Sequence, residues 1–158
     1  MRASILIALA AMTALPSRAL LAQGDDSKVT LLPHDEVRAA FTRGKPIVEV
    51  GDYKIHASRR EGPGMAEIHT RDTDIAYVLQ GSATLVTGGT AMDVKPTGPE
   101  ELRGSGIRGG DTRRLEPGDV VVIPNGTPHW FKQVEAPFLY YVVKVRQARR
   151  QVAMETAP

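Results

Sequence analysis

From residue 47 onward, apolar and polar positions alternate in short runs, and almost every run is followed within three residues by Gly, Pro, Asn or Asp. Period-two alternation puts successive side chains on opposite faces of a strand, and punctuation of this kind separates strands rather than helices. The pattern predicts strands over 47–50, 53–59, 65–69, 74–80, 82–87, 90–95, 112–115, 120–123, 129–134 and 138–145. Gly88-Gly89 predicts a tight hairpin joining 82–87 to 90–95. One helix is expected in HDEVRAAFTRGKP after Pro33: Asp35 and Glu36 suit its N-terminal end, Val37, Ala40 and Phe41 form an apolar face, and Arg43-Gly44 supply the stop. Residues 96–110, rich in Gly and Pro, carry Glu100, Glu101, Arg103 and Arg108 and read as an irregular loop, either a lid or a mobile surface segment. Many short strands with a single helix predict an all-β sandwich or barrel. A jelly roll is attractive because its interior can hold a small pocket.

The N-terminus departs from this pattern. Arg2 precedes an apolar run over 3–15, Pro16-Ser17 interrupt it, and small residues follow up to Ala22, which is the layout of a secretory signal peptide. The run is shorter than the roughly 20 apolar residues that a spanning helix needs. The expected organisation is a signal peptide over 1–22, a leader and helix over 23–46, one β domain over 47–146 and a charged tail over 147–158. The mature chain is thus expected to be periplasmic or secreted, with no membrane span. Cleavage after Ala22 removes Arg2 and Arg18 and no acid, so 18 basic residues face 18 acidic ones. A neutral chain without a Lys/Arg stripe gives no reason to expect nucleic acid as a partner. With no cysteine, any metal site must use nitrogen and oxygen ligands.

The candidate chemistry lies in two stretches. In GDVVVIPNGTPHWFKQ, residues 118–133, a turn at Pro124-Asn125-Gly126 delivers His129 to the mouth of a buried strand, where an imidazole can point inward while the strand behind it stays rigid. Phe131 shares its parity, whereas Gln133 either orients a ligand through its amide or ends the strand. In Glu67-Ile68-His69 the carboxylate and imidazole leave the same strand face, and Asp74 opens the next strand close enough to return beside His69. Two imidazoles with one or two carboxylates suit a divalent transition metal such as manganese, iron, nickel, cobalt or zinc. His56, on an earlier strand, is a candidate catalytic or substrate-facing group. The plainer readings are a surface histidine for His69, a solvated carboxylate for Glu67, a turn residue for Asp74, and packing for Tyr77, Trp130, Phe131 and Tyr141.

These residues resemble the two motifs of the cupin superfamily. Glu67-x-His69-x4-Asp74-x6-Gly81 is similar to the first, G-x5-H-x-H-x3,4-E-x6-G, with Glu67 in the first histidine's place and Asp74 in the glutamate's. A second alignment sets His69 and Arg71 in the two histidine places but leaves too few residues before Asp74. Gly118-x5-Pro124-x-Gly126-x2-His129-x3-Gln133 matches the second motif, G-x5-P-x-G-x2-H-x3-N, apart from Gln133. The resemblance implies a double-stranded β-helix, a jelly-roll barrel, with one divalent metal inside it at Glu67, His69, Asp74 and His129. That is a two-histidine, two-carboxylate set in place of the family's three histidines and one glutamate. It further implies a homodimer formed through sheet edges. The chemistry it permits on a small organic substrate covers oxygenase, isomerase, lyase and decarboxylase reactions; the alternatives are a non-catalytic ligand- or metal-binding module and a barrel whose site has decayed.

Overall fold

The computed structural model describes the backbone of Ala22–Gln23 and residues 27–147. Apart from Ala22 and Gln147, the segment read as a signal peptide and the charged tail lie outside the described residues. Among those described, one helix, α1 (His34–Arg43), precedes an all-β body. The helix begins and ends as its sequence dictates: Asp35 and Glu36 lie in its first turn, Arg43 in its last, and Gly44 closes it at φ 61°. Val37, Ala40 and Phe41 are its half-buried positions, and they pack it on the strands that follow.

The strands are β1 (Ala22–Gln23), β2 (Lys45–Glu49), β3 (Tyr53–Arg60), β4 (Ala66–His69), β5 (Asp72–Thr87), β6 (Thr90–Met92), β7 (Lys95–Gly98), β8 (Glu101–Gly104), β9 (Gly106–Arg108), β10 (Asp111–Leu115), β11 (Val120–Ile123) and β12 (His129–Arg146). Ten form one curled sheet in which β12 is central. At its start β12 pairs with β4 through His129↔Glu67, along its length it pairs with β5, and its second half also pairs with β3. The outer edge of β5 is taken by β11 and then β10.

Two pairs of expected strands are each a single long strand. The runs 74–80 and 82–87 join through Gly81 into β5, and 129–134 and 138–145 join into β12, with register shifts between Glu135 and Tyr140 opposite Gly81. Gly81 has φ 74°, and a Cβ there would lie 2.5 Å from the Pro137 carbonyl oxygen and 2.8 Å from that of Glu135. Only glycine lets the strands pass so closely, which explains the glycine at the end of the first motif. The hairpin expected across Gly88-Gly89 does not form: β5 pairs with β10 at Asp111↔Thr87, while β6 pairs with β9 in a separate two-stranded sheet. Both glycines have positive φ, and at Gly89 a Cβ would meet the Arg108 carbonyl oxygen at 2.6 Å, so the chain turns away from β5 here. Nor is 96–110 a structureless loop. It contains β7, β8 and β9, and β8 pairs with β4 over its whole length.

Strand parity sorts the side chains. Ala76, Val78, Ala83, Leu85, Leu115, Ile123, Phe131, Phe138, Tyr140 and Val142 form the main core, while Val86, Ala66 and Ile107 form a smaller one against Trp130. On the opposite face of β5 and β11, Ile75, Tyr77, Leu79, Val120 and Val122 are exposed. Inside the barrel the core fills only one end, and the other carries polar groups around a cavity of about 270 Å³.

Candidate metal centre

The second motif builds its half of the site through its turn. Gly126, at φ 78°, donates its N–H to the His69 carbonyl oxygen at 2.8 Å, and the Thr127 N–H returns to the Pro124 carbonyl oxygen at 3.1 Å. The turn is thereby tied to the end of β4, and the next residues lead into β12 with His129 2% exposed. The Thr127 carbonyl oxygen lies 3.1 Å from His129 Nδ1. A carbonyl only accepts, so Nδ1 carries the proton and the Nε2 lone pair faces the cavity. Phe131 follows in the same parity, buried against Phe138 and Tyr140. Gln133 faces outward, where its side-chain oxygen accepts from the Thr84 hydroxyl at 3.2 Å.

On β4, Glu67 and His69 point inward together, both buried. Ligand atoms of Glu67, His69 and His129 all lie within 4.8 Å of one another. Glu67 Oε2 is 3.8 Å from His69 Nε2 and 3.9 Å from His129 Nε2. An ion bonded at about 2.1 Å to such atoms can bridge separations of this size. The supporting contacts are also of the kind that metal-ligating residues have. His69 Nδ1 is 2.7 Å from Glu101 Oε2, which turns Nε2 inward. The three residues therefore fit a divalent ion.

Asp74 is placed differently from the other three. Both its oxygens accept from Lys144 Nζ at 2.7 Å, and Lys144 Nζ also lies 2.8 Å from His69 Nε2. Asp74 Oδ2 remains within 3.4 Å of His69 Nε2, so it borders the centre with its charge already taken by an ammonium. Burial raises the cost of ionising Asp74, but hydrogen bonds and charge from His69 and Lys144 outweigh it and hold its pKa down to about 2. Burial likewise disfavours a charged His69, yet hydrogen bonds to Asp74 and Glu101 prevail against Lys144 and raise it to about 9. The carboxylates of Glu101 and Asp74 thus flank the His69 ring, and Asp74 also holds Lys144. For His129 burial outweighs the Thr127 hydrogen bond and the charge of Glu67, and its pKa is lowered.

Glu67 stands where the family pattern has a neutral imidazole, and two arginines account for it. Arg60 Nη2 donates to Glu67 Oε1 at 2.8 Å, and Arg103 Nη1 reaches the same oxygen at 2.5 Å. The guanidinium of Arg60 is held in turn by the Tyr140 hydroxyl, 3.1 Å from its Nε, and lies 4.3 Å from the Phe131 ring centroid. Against the cost of burial, these cations keep Glu67 below the ordinary carboxylate range. Its Oε1 is neutralised while Oε2 faces the two imidazoles.

His56, singled out as a catalytic candidate, lines the same cavity. Burial, then the positive charges of Lys144 and Lys54, lower its pKa, so it is a neutral imidazole at pH 7. The charged cavity residues not proposed as site residues beforehand are Lys54, Arg60, Arg103, Lys144 and the histidine partner Glu101. For Lys144 a signal was present: it falls in phase with Phe138, Tyr140 and Val142, the inward positions of β12. Glu101 and Arg103 lie on β8, inside the stretch read as a loop.

Comparison with known proteins agrees with this architecture. No curated protein matches the chain by sequence. Among solved structures, hydroquinone 1,2-dioxygenase from Sphingomonas sp. TTNP3, with 4-hydroxybenzoate bound, is 16% identical over 80% of this chain and 84% of its own, at a TM-score of 0.52. BH2720 from Bacillus halodurans is 11% identical over 78% of this chain and 86% of its own, at 0.51. The DMSP lyase DddQ from Ruegeria pomeroyi DSS-3 is 21% identical over 68% of this chain, at 0.44; this chain spans 43% of that one. At these identities the likeness is one of fold, and the first two structures, with TM-scores above 0.5, support the jelly-roll barrel. The family model described as cupin matches residues 55–157, a span that includes both motifs, Glu67, His69, Asp74 and His129, and the chain belongs to the cupin family.

Proposed function

We propose that this cupin holds one divalent transition ion on Glu67, His69 and His129 and acts on a small organic molecule in the barrel cavity. The observation that carries the reading is the convergence of these three donors within 4.8 Å at the polar end of the cavity. Bound there, such an ion would act as a Lewis acid toward a substrate oxygen. The chain's own residues supply the rest: Glu101 and Thr127 orient the imidazoles, Arg60 and Arg103 hold Glu67, and His56 offers a neutral nitrogen to accept a proton. Asp74 borders the set as the anchor of Lys144. The N-terminal pattern over 1–22 supports export of the chain.

Elemental analysis of the purified protein tests the centre. About one equivalent of metal per chain is expected in the wild type, falling below about a tenth in His129→Ala, because loss of one of three protein ligands removes most of the binding free energy. Metal-free folded wild type, or unchanged content in the variant, would falsify the assignment.

Metal uptake is also expected to release a proton. The His69 pKa is raised to about 9 in the metal-free protein, so an ion binding at its Nε2 must displace a proton below that pH. His129, lowered by burial, adds none near neutrality. Affinity should therefore climb about tenfold per pH unit up to about 9 and level off above it. Calorimetric titration in buffers of different ionisation heat measures the proton released, and an affinity independent of pH below about 9 would contradict the account.

A further inference from the structure

The charged groups around the cavity do not balance once the centre is filled. Four cationic side chains, Lys54, Arg60, Arg103 and Lys144, line it against three carboxylates, Glu67, Asp74 and Glu101. Lys54 has a fourth carboxylate behind it, Asp72, at 3.4 Å. The imidazoles aside, the side chains thus cancel, and a divalent ion would add two uncompensated positive charges to a half-enclosed space. Uncompensated charge is costly there, and an anionic ligand is the natural partner.

Arg103 marks where that anion would sit. Its Nη1 is engaged by Glu67 Oε1, but its Nη2 comes no nearer than 3.9 Å to Glu101 Oε2, outside hydrogen-bond range, and its side chain is 32% exposed. The guanidinium therefore keeps an open edge of donors on the cavity, in the planar geometry that matches a carboxylate. Ala76, Ile123, Phe131 and Val142 supply an apolar wall to the same cavity. Its volume of about 270 Å³ is on the scale of a small organic molecule.

We propose that the cavity takes a small carboxylate with an apolar body, its carboxylate on the open edge of Arg103 and its body against Ile123, Phe131 and Val142. This narrows the ligand class of the function proposed above, and it rests on that reading for the charge excess though not for the Arg103 edge. Benzoate and its neutral isostere benzamide are suitable probes, titrated calorimetrically into protein of measured metal content. Metal-loaded wild type is expected to bind benzoate at least about tenfold more tightly than benzamide, since a charge-assisted bidentate pair is lost with the amide. Arg103→Met should lower that ratio severalfold, leaving only the preference due to the ion's own charge. Equal binding of the two probes by the wild type overturns the proposal, as does a ratio unchanged in Arg103→Met. Because Arg103 also touches Glu67, Arg103→Lys serves as a second variant: it keeps the charge but not the fork, and a ratio as high as the wild type's in this variant counts against the carboxylate seat. If the wild type takes up no metal, the centre fails on its own measurement, and the same pair of probes applied to that metal-free protein still decides the ligand class.

Discussion

Glu67→His, which installs the residue that the first cupin motif has at this position, is expected to destabilise the protein by about 3–5 kcal/mol, as the removal of one partner from a buried ion pair does. Glu67 is the counter-charge for two guanidiniums at once, its own side chain 12% exposed and that of Arg60 18%. An imidazole leaves both arginines facing each other across an uncharged group. Arg103, its side chain 32% exposed, can turn toward water, but Arg60 is pinned by the Tyr140 hydroxyl and the Phe131 ring. Denaturant unfolding of the metal-free protein measures the loss. A variant as stable as the wild type, with undiminished metal uptake, would show that the arginines do not depend on Glu67. The prediction separates two views of the degenerate motif: as a decayed histidine, Glu67 should be improved by reversion, whereas as part of a charge set with Arg60 and Arg103 it should not.

The second large effect is expected at the apolar end. Phe138 is fully buried, with ring centroids of Phe131 at 5.7 Å and Tyr140 at 5.2 Å. Phe138→Ala removes the ring that these two pack against, and a loss of about 3–5 kcal/mol is anticipated, the transfer cost of the side chain plus that of the space left behind. Tyr77→Ala, on the outer face and 46% exposed, is the control, with a much smaller shift of the unfolding midpoint. Because Phe131 is two residues beyond His129 on β12 and Tyr140 holds Arg60, the Phe138 variant should also weaken metal uptake; equal losses for the two variants would remove this distinction between inner and outer faces.

How much of this could be read in advance differs between the two halves of the site. The stretch from Gly118 to His129 is legible because its turn residues and its strand are contiguous, so local chemistry alone places the histidine. Glu67, His69 and Asp74 are legible by parity on neighbouring strands. What escapes are groups whose position depends on distant pairing. Glu101 and Arg103 reach the centre only because β8 lies beside β4, and a four-residue strand among glycines and prolines has no periodicity of its own to reveal that. Gly81 and Pro137 look like breaks, yet they face each other where β5 and β12 cross their bulge, so two long strands read as four short ones. Arg60 and Lys144 were hidden by composition: charged residues at strand ends are usually solvated, and here each keeps the inward phase of its strand.

The central place of β12 has a consequence for when and where the ion is acquired. Two of its three proposed ligands lie on β4, but the third arrives only when the distant residue His129 takes up its pairing with Glu67, after the chain between them has been threaded into place. No fragment of the sequence presents all three donors, and pairing over such a separation is among the slower events of folding. Capture of an ion there would therefore follow closure of the barrel. The ion pool of the compartment in which folding is completed, weighed against the intrinsic ranking of divalent ions for nitrogen and oxygen donors, would then select the metal.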